Sequence, residues 1–311
     1  MAQFPTNPKA DGTKNGNPEL LAWSRSDIEN RFGFKGGRYT SVNHGLAFLI
    51  GALATGVLYV LMLFVFSRLP ILSHVATIYM RPTNQFAVIP ATFFFFGGLA
   101  VLFLKGRKIN FQRRALLLSA VPAEPEFILT ETTAATVLTR IHSMVDQPRH
   151  FILLNRIDRA LSNFKNIGQV GDVSAILRAQ AENDEDQVAS SYTVVNGLVW
   201  AIPVLGFIGT VLGLSLAIGR FTATLQAAGD LALIRASLQG VTSGLATAFE
   251  STLVALTFTL ILQLVITFQQ KREMSFLDEC NDYCHSHIVA KLRLTSRPQP
   301  ISASAAPETK P

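Results

Sequence analysis

Long stretches of this 311-residue chain carry no charge. Asp, Glu, Lys and Arg make up 15% of it, against about 25% in soluble domains. That deficit excludes an ordinary water-soluble domain. Cysteine is scarcer still: Cys280 and Cys284 are the only two, too few for a disulfide framework. There is no phosphate-binding glycine loop, no dinucleotide signature and no supported nucleophile–base set. An enzyme reading therefore has nothing to stand on, and no cofactor is expected. The start, "MAQFPTNPKADGTKNGN", lacks an apolar core and does not read as a cleaved signal peptide. The net charge of +6 raises the question of nucleic acid. The basic residues instead flank apolar runs, where they act as topology signals in lipid.

What is present is four apolar runs, over residues 45–67, 86–104, 194–218 and 244–268. Each is long enough to cross a bilayer, for which roughly 20 residues suffice. Six Lys or Arg precede the first run, eleven lie between the second and third, and six follow the fourth; the two remaining loops hold two each. The positive-inside bias places both termini and the long middle segment in the cytoplasm. "KGRKINFQRR", just after the second run, reads as an inner-face anchor. The expected fold is all-α, a polytopic membrane protein with long cytoplasmic helical extensions. Residues 1–44 form a partly disordered N-terminal segment and 45–104 hold spans one and two. Residues 105–193 form a cytoplasmic helical region, 194–268 hold spans three and four, and 269–294 form an amphipathic helix. Residues 295–311 are a Pro/Ser/Ala-rich disordered tail. No breaker separates the end of the middle region from span three, which predicts one continuous helix there.

Span three raises a specific question, because "IPVLGFIGTVLGLSLAI" keeps a threonine among its glycines. On a helical wheel Gly206, Gly209, Gly213 and Ala217 share a face with Thr210. Small residues let another helix approach closely in lipid, where packing drives association. Span four carries a second small stripe, Gly240, Gly244, Ala248, Ser251 and Ala255, beside a polar line of Thr252, Thr259 and Gln263. Thr210 and Thr252 each lie about 12 Å below the outer boundary, counting 1.5 Å per residue. Two readings follow. One is a packing face whose threonine bonds its own backbone; the other is a polar ring around a pathway. Pro203 interrupts the ladder one turn below the glycines. Glu250, the only acid within a run, is either an ion-relay carboxylate or a structural one. In the second case it snorkels or pairs with Arg220 or Arg235.

"IPVLGFIGTVLGLSLAI" followed by "GLATAFESTLVALTFTLIL" resembles the MotA/TolQ/ExbB proton-channel family, over roughly residues 175–270. The resemblance implies a homo-pentamer whose last two spans line a pore. Inside would stand a dimer of a single-span partner like MotB, TolR or ExbD, whose aspartate carries H+ or Na+. It maps the family's threonines onto Thr210 and Thr252 and its proline onto Pro203. Pro203, Gly206, Gly209, Gly213, Thr247 and Ser251 then serve pore packing. Two departures stand out. The glutamate of ExbB-like members falls at Thr247 here, with the acid at Glu250 instead, and the last span lacks the proline of flagellar members. The implied role is a channel subunit of an ion-driven rotary motor. The alternatives are a membrane scaffold of the same architecture without an ion pathway, and a self-contained transporter with Glu250 as coupling acid.

Three further features stand outside this core. "CNDYCHSH" sets Cys280, Cys284 and His287 on one helical face, with spacing that suits zinc. The competing reading is a reduced face packed on a neighbouring subunit. "ENDEDQ", residues 182–187, reads either as a patch that gathers cations near an inner exit or as a solvated acidic face. "ATFFFFGG" in span two reads as a lipid-facing aromatic surface.

Overall fold

The computed structural model describes residues 21–23, 27–31, 33–34, 36–64, 70–122, 124, 126–162, 170–227 and 231–293. The expectations for the first twenty residues and for the tail lie outside these. Among the described residues nine α-helices follow one another. They are α1 (Ile28–Arg31), α2 (His44–Phe64), α3 (Pro70–Met80), α4 (Pro82–Leu116), α5 (Glu131–Met144), α6 (Ile152–Ser162), α7 (Val170–Ser190), α8 (Thr193–Ala227) and α9 (Leu231–Cys284). A π turn, His285–Val289, extends α9. The described residues are otherwise turns, bends and irregular segments, with two isolated bridges, Leu21 with Val145 and Leu129 with Leu292. Four stretches, carried by α2, α4, α8 and α9, are long and apolar enough to cross a membrane.

The second span, α4, is the central helix. Its apolar window is 56% buried, against 28% for α2 and 22% for each of the other two. Gly51 of α2 lies directly on Gly97, so a methyl there would come within 2.7 Å of the Gly97 Cα. Gly98 faces the Leu262 side chain of α9, 2.9 Å from where its own methyl would stand. The two glycines thus admit a helix on each side. This overturns the lipid-facing reading of the phenylalanines. Phe95 is buried and stacks on Phe258 of α9 with centroids 4.3 Å apart, and Phe94 and Phe96 pack against the same core.

A helix absent from the sequence reading, α3, fills the connection between the first two spans. Proline opens it, where a missing N–H costs nothing. Its Ala76 and Tyr79 bury with Met62 and Val88 in a small second core. Arg81 then takes an extended conformation before Pro82, which starts α4, as residues before proline prefer.

Helix α9 has 54 residues, about 81 Å at 1.5 Å per residue and well over twice the ~30 Å hydrocarbon layer. Its excess length packs with the lower part of α4 and with α6 and α7, and α5 packs on α6, in a helical domain. Thr130 caps α5 in a reciprocal box with Thr133. Helix α6 is nearly engulfed: Ile152, Leu153, Leu154 and Ile157 are at most 1% exposed. The end of the described chain is tied in by Leu129 N–H on the Lys291 carbonyl (2.8 Å) and by Lys291 Nζ on the Pro122 carbonyl (2.7 Å).

The helix expected to run unbroken into span three is interrupted by a two-residue turn at Ser191 and Tyr192. The Ser191 hydroxyl donates to the Val188 carbonyl (2.6 Å) and accepts from Lys105 Nζ (2.6 Å). A hydroxyl competing for backbone groups in this way loosens a helix at its position. Lys105 also pairs with Glu273 at 3.4 Å, both side chains being 1% exposed, and its ammonium sits 4.2 Å from the Tyr192 ring centroid. Lys108 pairs with Glu29 at 2.7 Å. The anchor reading of "KGRKINFQRR" is thus corrected for its two inward lysines, while Arg107 and Arg114 are exposed. The solvated reading of "ENDEDQ" fails at Asp184, which is 1% exposed and accepts from Arg156 Nε at 2.6 Å.

Candidate functional site

Helices α8 and α9 run against each other along matched small residues. A methyl on Gly206 would meet Ala255 Cβ at 2.6 Å, one on Gly213 would meet Ala248 Cβ at 2.9 Å, and one on Gly244 would meet Ala217 Cβ at 2.7 Å. Gly209 is hemmed by two helices, with Ser251 Oγ at 2.6 Å and Ala87 Cβ of α4 at 2.8 Å from such a methyl. Gly240 faces open space. Pro203 lies within an uninterrupted α8.

At the centre of this seam the Thr210 and Thr252 hydroxyls hydrogen-bond to each other. Thr252 Oγ1 also reaches the Gly206 carbonyl at 2.9 Å, and Thr210 Oγ1 reaches the same oxygen at 3.1 Å and the Ala248 carbonyl at 3.4 Å. The depth matching read from residue counting therefore becomes a direct contact. Two protons serve these bonds, and a hydroxyl oxygen has two lone pairs. Each threonine thus keeps capacity to accept from a further donor. Both side chains are half-buried, whereas Ser251 is buried and donates to the Ala248 carbonyl at 2.8 Å. Thr259 bonds back to the Ala255 carbonyl at 2.9 Å, and Gln263 is exposed. The side chain of Thr247 lies outside the described residues.

Among the described residues Glu250 pairs with Arg81 and not with Arg235; the side chain of Arg220, the other arginine expected for it, lies outside the described residues. Arg81 Nη1 donates to both carboxylate oxygens, at 3.0 and 3.2 Å, and Asn84 Nδ2 donates to one at 3.3 Å. Arg235 is exposed. The fold brings the α3–α4 corner, not the neighbouring loop, beside Glu250. Asn84 also holds the Ile78 carbonyl at 3.3 Å, so the carboxylate ties α9 to both α3 and α4. Arg81→Gln and Glu250→Gln are each expected to cost about 1 kcal/mol, as partly exposed pairs do. The double variant should cost little more than either single one. Thermal unfolding of the four proteins in detergent checks this, and independent, additive losses would rule the pair out.

The cysteines are buried within their own chain, not against a neighbouring subunit. Cys280 is 0% and Cys284 2% exposed, both in the main core. No cluster of three or more metal-binding side chains occurs among the described residues. The π turn begins at His285, and the His287 ring stacks on Tyr283 with centroids 4.3 Å apart. Burial pushes the Cys284 thiol up to about 12 and raises that of Cys280 as well. Maleimide labelling of the folded protein at pH 7.5 is therefore expected to be at least ~100-fold slower than after denaturation, since only the thiolate reacts. A thiol held neutral by the fold stabilises below its unfolded pKa of ~8.5. That contribution is lost as pH rises through the window between there and about 12.

Two buried ion pairs escaped the sequence reading, although a signal for each was present. Asp184 interrupts a buried stripe of Leu177, Ala181, Val188 and Tyr192; Glu273 sits in one of Gln269, Phe276, Leu277 and Cys280. An acid at a core position of an amphipathic helix calls for a partner.

Fold and site together define a class: a helical, multi-pass membrane protein whose last two apolar helices are sealed by small residues around a hydroxyl pair. The model of the MotA/TolQ/ExbB proton channel family matches residues 146–279, and that stretch is similar to this family. It is a family of channels, not of enzymes. The matched stretch takes in α6, α7, α8 and most of α9, and so reaches beyond the resemblance read from the glycine motifs. No curated protein and no solved structure gives a significant match.

Proposed function

We propose that the chain is the channel subunit of an ion-driven motor complex in a bacterial inner membrane. Five copies surround a dimer of a single-span partner whose aspartate carries H+ or Na+. Both termini and the extramembrane helical domain face the cytoplasm, as the excess of Lys and Arg on those segments favours. The observation that carries this reading is the Thr210–Thr252 hydroxyl pair in a close-packed helix seam, inside the segment that matches a proton-channel family. A carboxylic acid beside that pair would find acceptors for its proton, and a carboxylate could draw a hydroxyl proton now shared within the seam, which gives an acid buried at such a depth a polar partner. The exposed apolar residues of the two helices, among them Phe207, Val211, Leu253 and Leu260, supply surface for neighbouring copies and for the partner's spans. Glu250, held by Arg81 and Asn84, serves as a strut that fixes α9 rather than as the relay. Purification in mild detergent with subunit counting tests the reading. Five copies with a single-span, aspartate-bearing partner are expected; a homo-oligomer that never retains such a partner would favour the scaffold.

A further inference from the structure

We propose that the cleft between the N-terminal segment and the part of α4 just beyond the membrane binds the headgroup of an anionic phospholipid. The cleft measures ≈ 380 Å³, within the range of small-ligand sites. Its membrane-side wall is Leu104, the last residue of span two, and below it come Arg107, Lys108, Phe111 and Arg114. At 1.5 Å per residue, Arg107 lies about 4.5 Å past Leu104 and Arg114 about 15 Å past it. The headgroup layer is roughly 5–8 Å deep, so the cleft opens at headgroup level and runs inward.

The opposite wall is built rather than draped. Trp23 is 2% exposed, with its ring 5.8 Å from Phe111 and 5.4 Å from Phe151 between centroids, and its backbone N–H donates to Asp146 Oδ1 at 2.8 Å. Glu29 accepts from the Asn43 N–H at 2.8 Å and from Lys108 Nζ at 2.7 Å, which fixes α1 and so Arg31. Charge decides the ligand. Lys108 is committed to Glu29 and, at 3.9 Å, to Asp27, and burial raises the Asp27 carboxyl above its ordinary value. Arg31, Arg107 and Arg114 are exposed and form no ion pair among the described residues. Arg107 stands at headgroup depth and Arg31 and Arg114 line the same cleft, and free guanidiniums of this kind hold a phosphodiester with paired N–H groups. The site needs no ion pathway; the topology proposed above decides only which leaflet supplies the lipid.

Native mass spectrometry of the purified complex, titrated with dioctanoyl phosphatidylglycerol, dioctanoyl phosphatidylcholine or inorganic phosphate, tests this. One phosphatidylglycerol per chain is expected, with phosphatidylcholine and phosphate much weaker. The R31Q/R107Q/R114Q variant should lose about a hundredfold in phosphatidylglycerol affinity, roughly fivefold per arginine, with assembly unchanged. The matching lysine variant should keep most of it. Equal binding of the two lipids, or undiminished binding by the glutamine variant, would overturn the proposal. Phosphate binding as tightly as phosphatidylglycerol would do so too, by making the cleft a site for soluble anions.

Discussion

Valine at both Thr210 and Thr252 is expected to cut ion flux at least tenfold while the subunits still assemble. Valine keeps the branched shape and removes only the hydroxyl. The helix seam would survive, because it rests on the contacts of Gly206 with Ala255 and Gly213 with Ala248, and an interhelical hydrogen bond in a membrane contributes only about 0.6 kcal/mol on average. The functional cost is larger. A hydrogen bond to a charged group contributes about 1.5–3 kcal/mol, which is roughly a ten- to hundredfold change in rate if it is made while the ion passes. Serine at both positions should restore most of the flux. The measurement is proton or sodium uptake into liposomes holding the chain with its co-purified partner. Unchanged flux in the valine protein, with the complex intact, would remove the hydroxyl pair from the pathway.

Arg156→Leu is expected to be the most destabilising single change in the extramembrane domain, by about 3–5 kcal/mol, the usual cost of leaving one member of a buried ion pair alone. Arg156 and Asp184 are each 1% exposed. Asp184 would keep only Gln180 Nε2, now at 3.0 Å, and could not reach water. The pair joins α6 to α7, and α7 leads through the Ser191–Tyr192 turn into α8, so its loss should also loosen the entry to the candidate site. Leucine at both positions should recover much of the loss, since apolar replacement of a buried pair is often neutral. Denaturant unfolding of the three variants followed by far-UV circular dichroism checks this. A double variant no more stable than Arg156→Leu would mean that the site needs the charges themselves.

Much of this molecule was legible in residue order. Apolar runs and glycine spacing identified four spanning helices and the face by which α8 meets α9. Counting residues back from the outer boundary placed Thr210 level with Thr252, because two antiparallel helices of common rise keep a common depth scale. The partner of Glu250 was not legible. Arg81 lies 169 positions away, and nothing in the spacing of either residue encodes the meeting of the α3–α4 corner with α9. Helix α3 was missed because eleven residues between two spans look like a loop when read by hydropathy alone. Span two looked lipid-exposed because lipid and protein interior are equally apolar, so its phenylalanines suit either environment.

The sequence by itself determined the solvent each segment meets, the helices that follow from it, and the small-residue faces that allow close approach, since these depend on composition and on the 3.6-residue period alone. Only the tertiary structure decided which faces pair: α4 at the centre, Lys105 on Glu273, Arg156 on Asp184, Arg81 on Glu250. Side chains far apart in the chain become neighbours only once the helices have chosen their packing, and that choice is made by shape and charge summed over all of them at once.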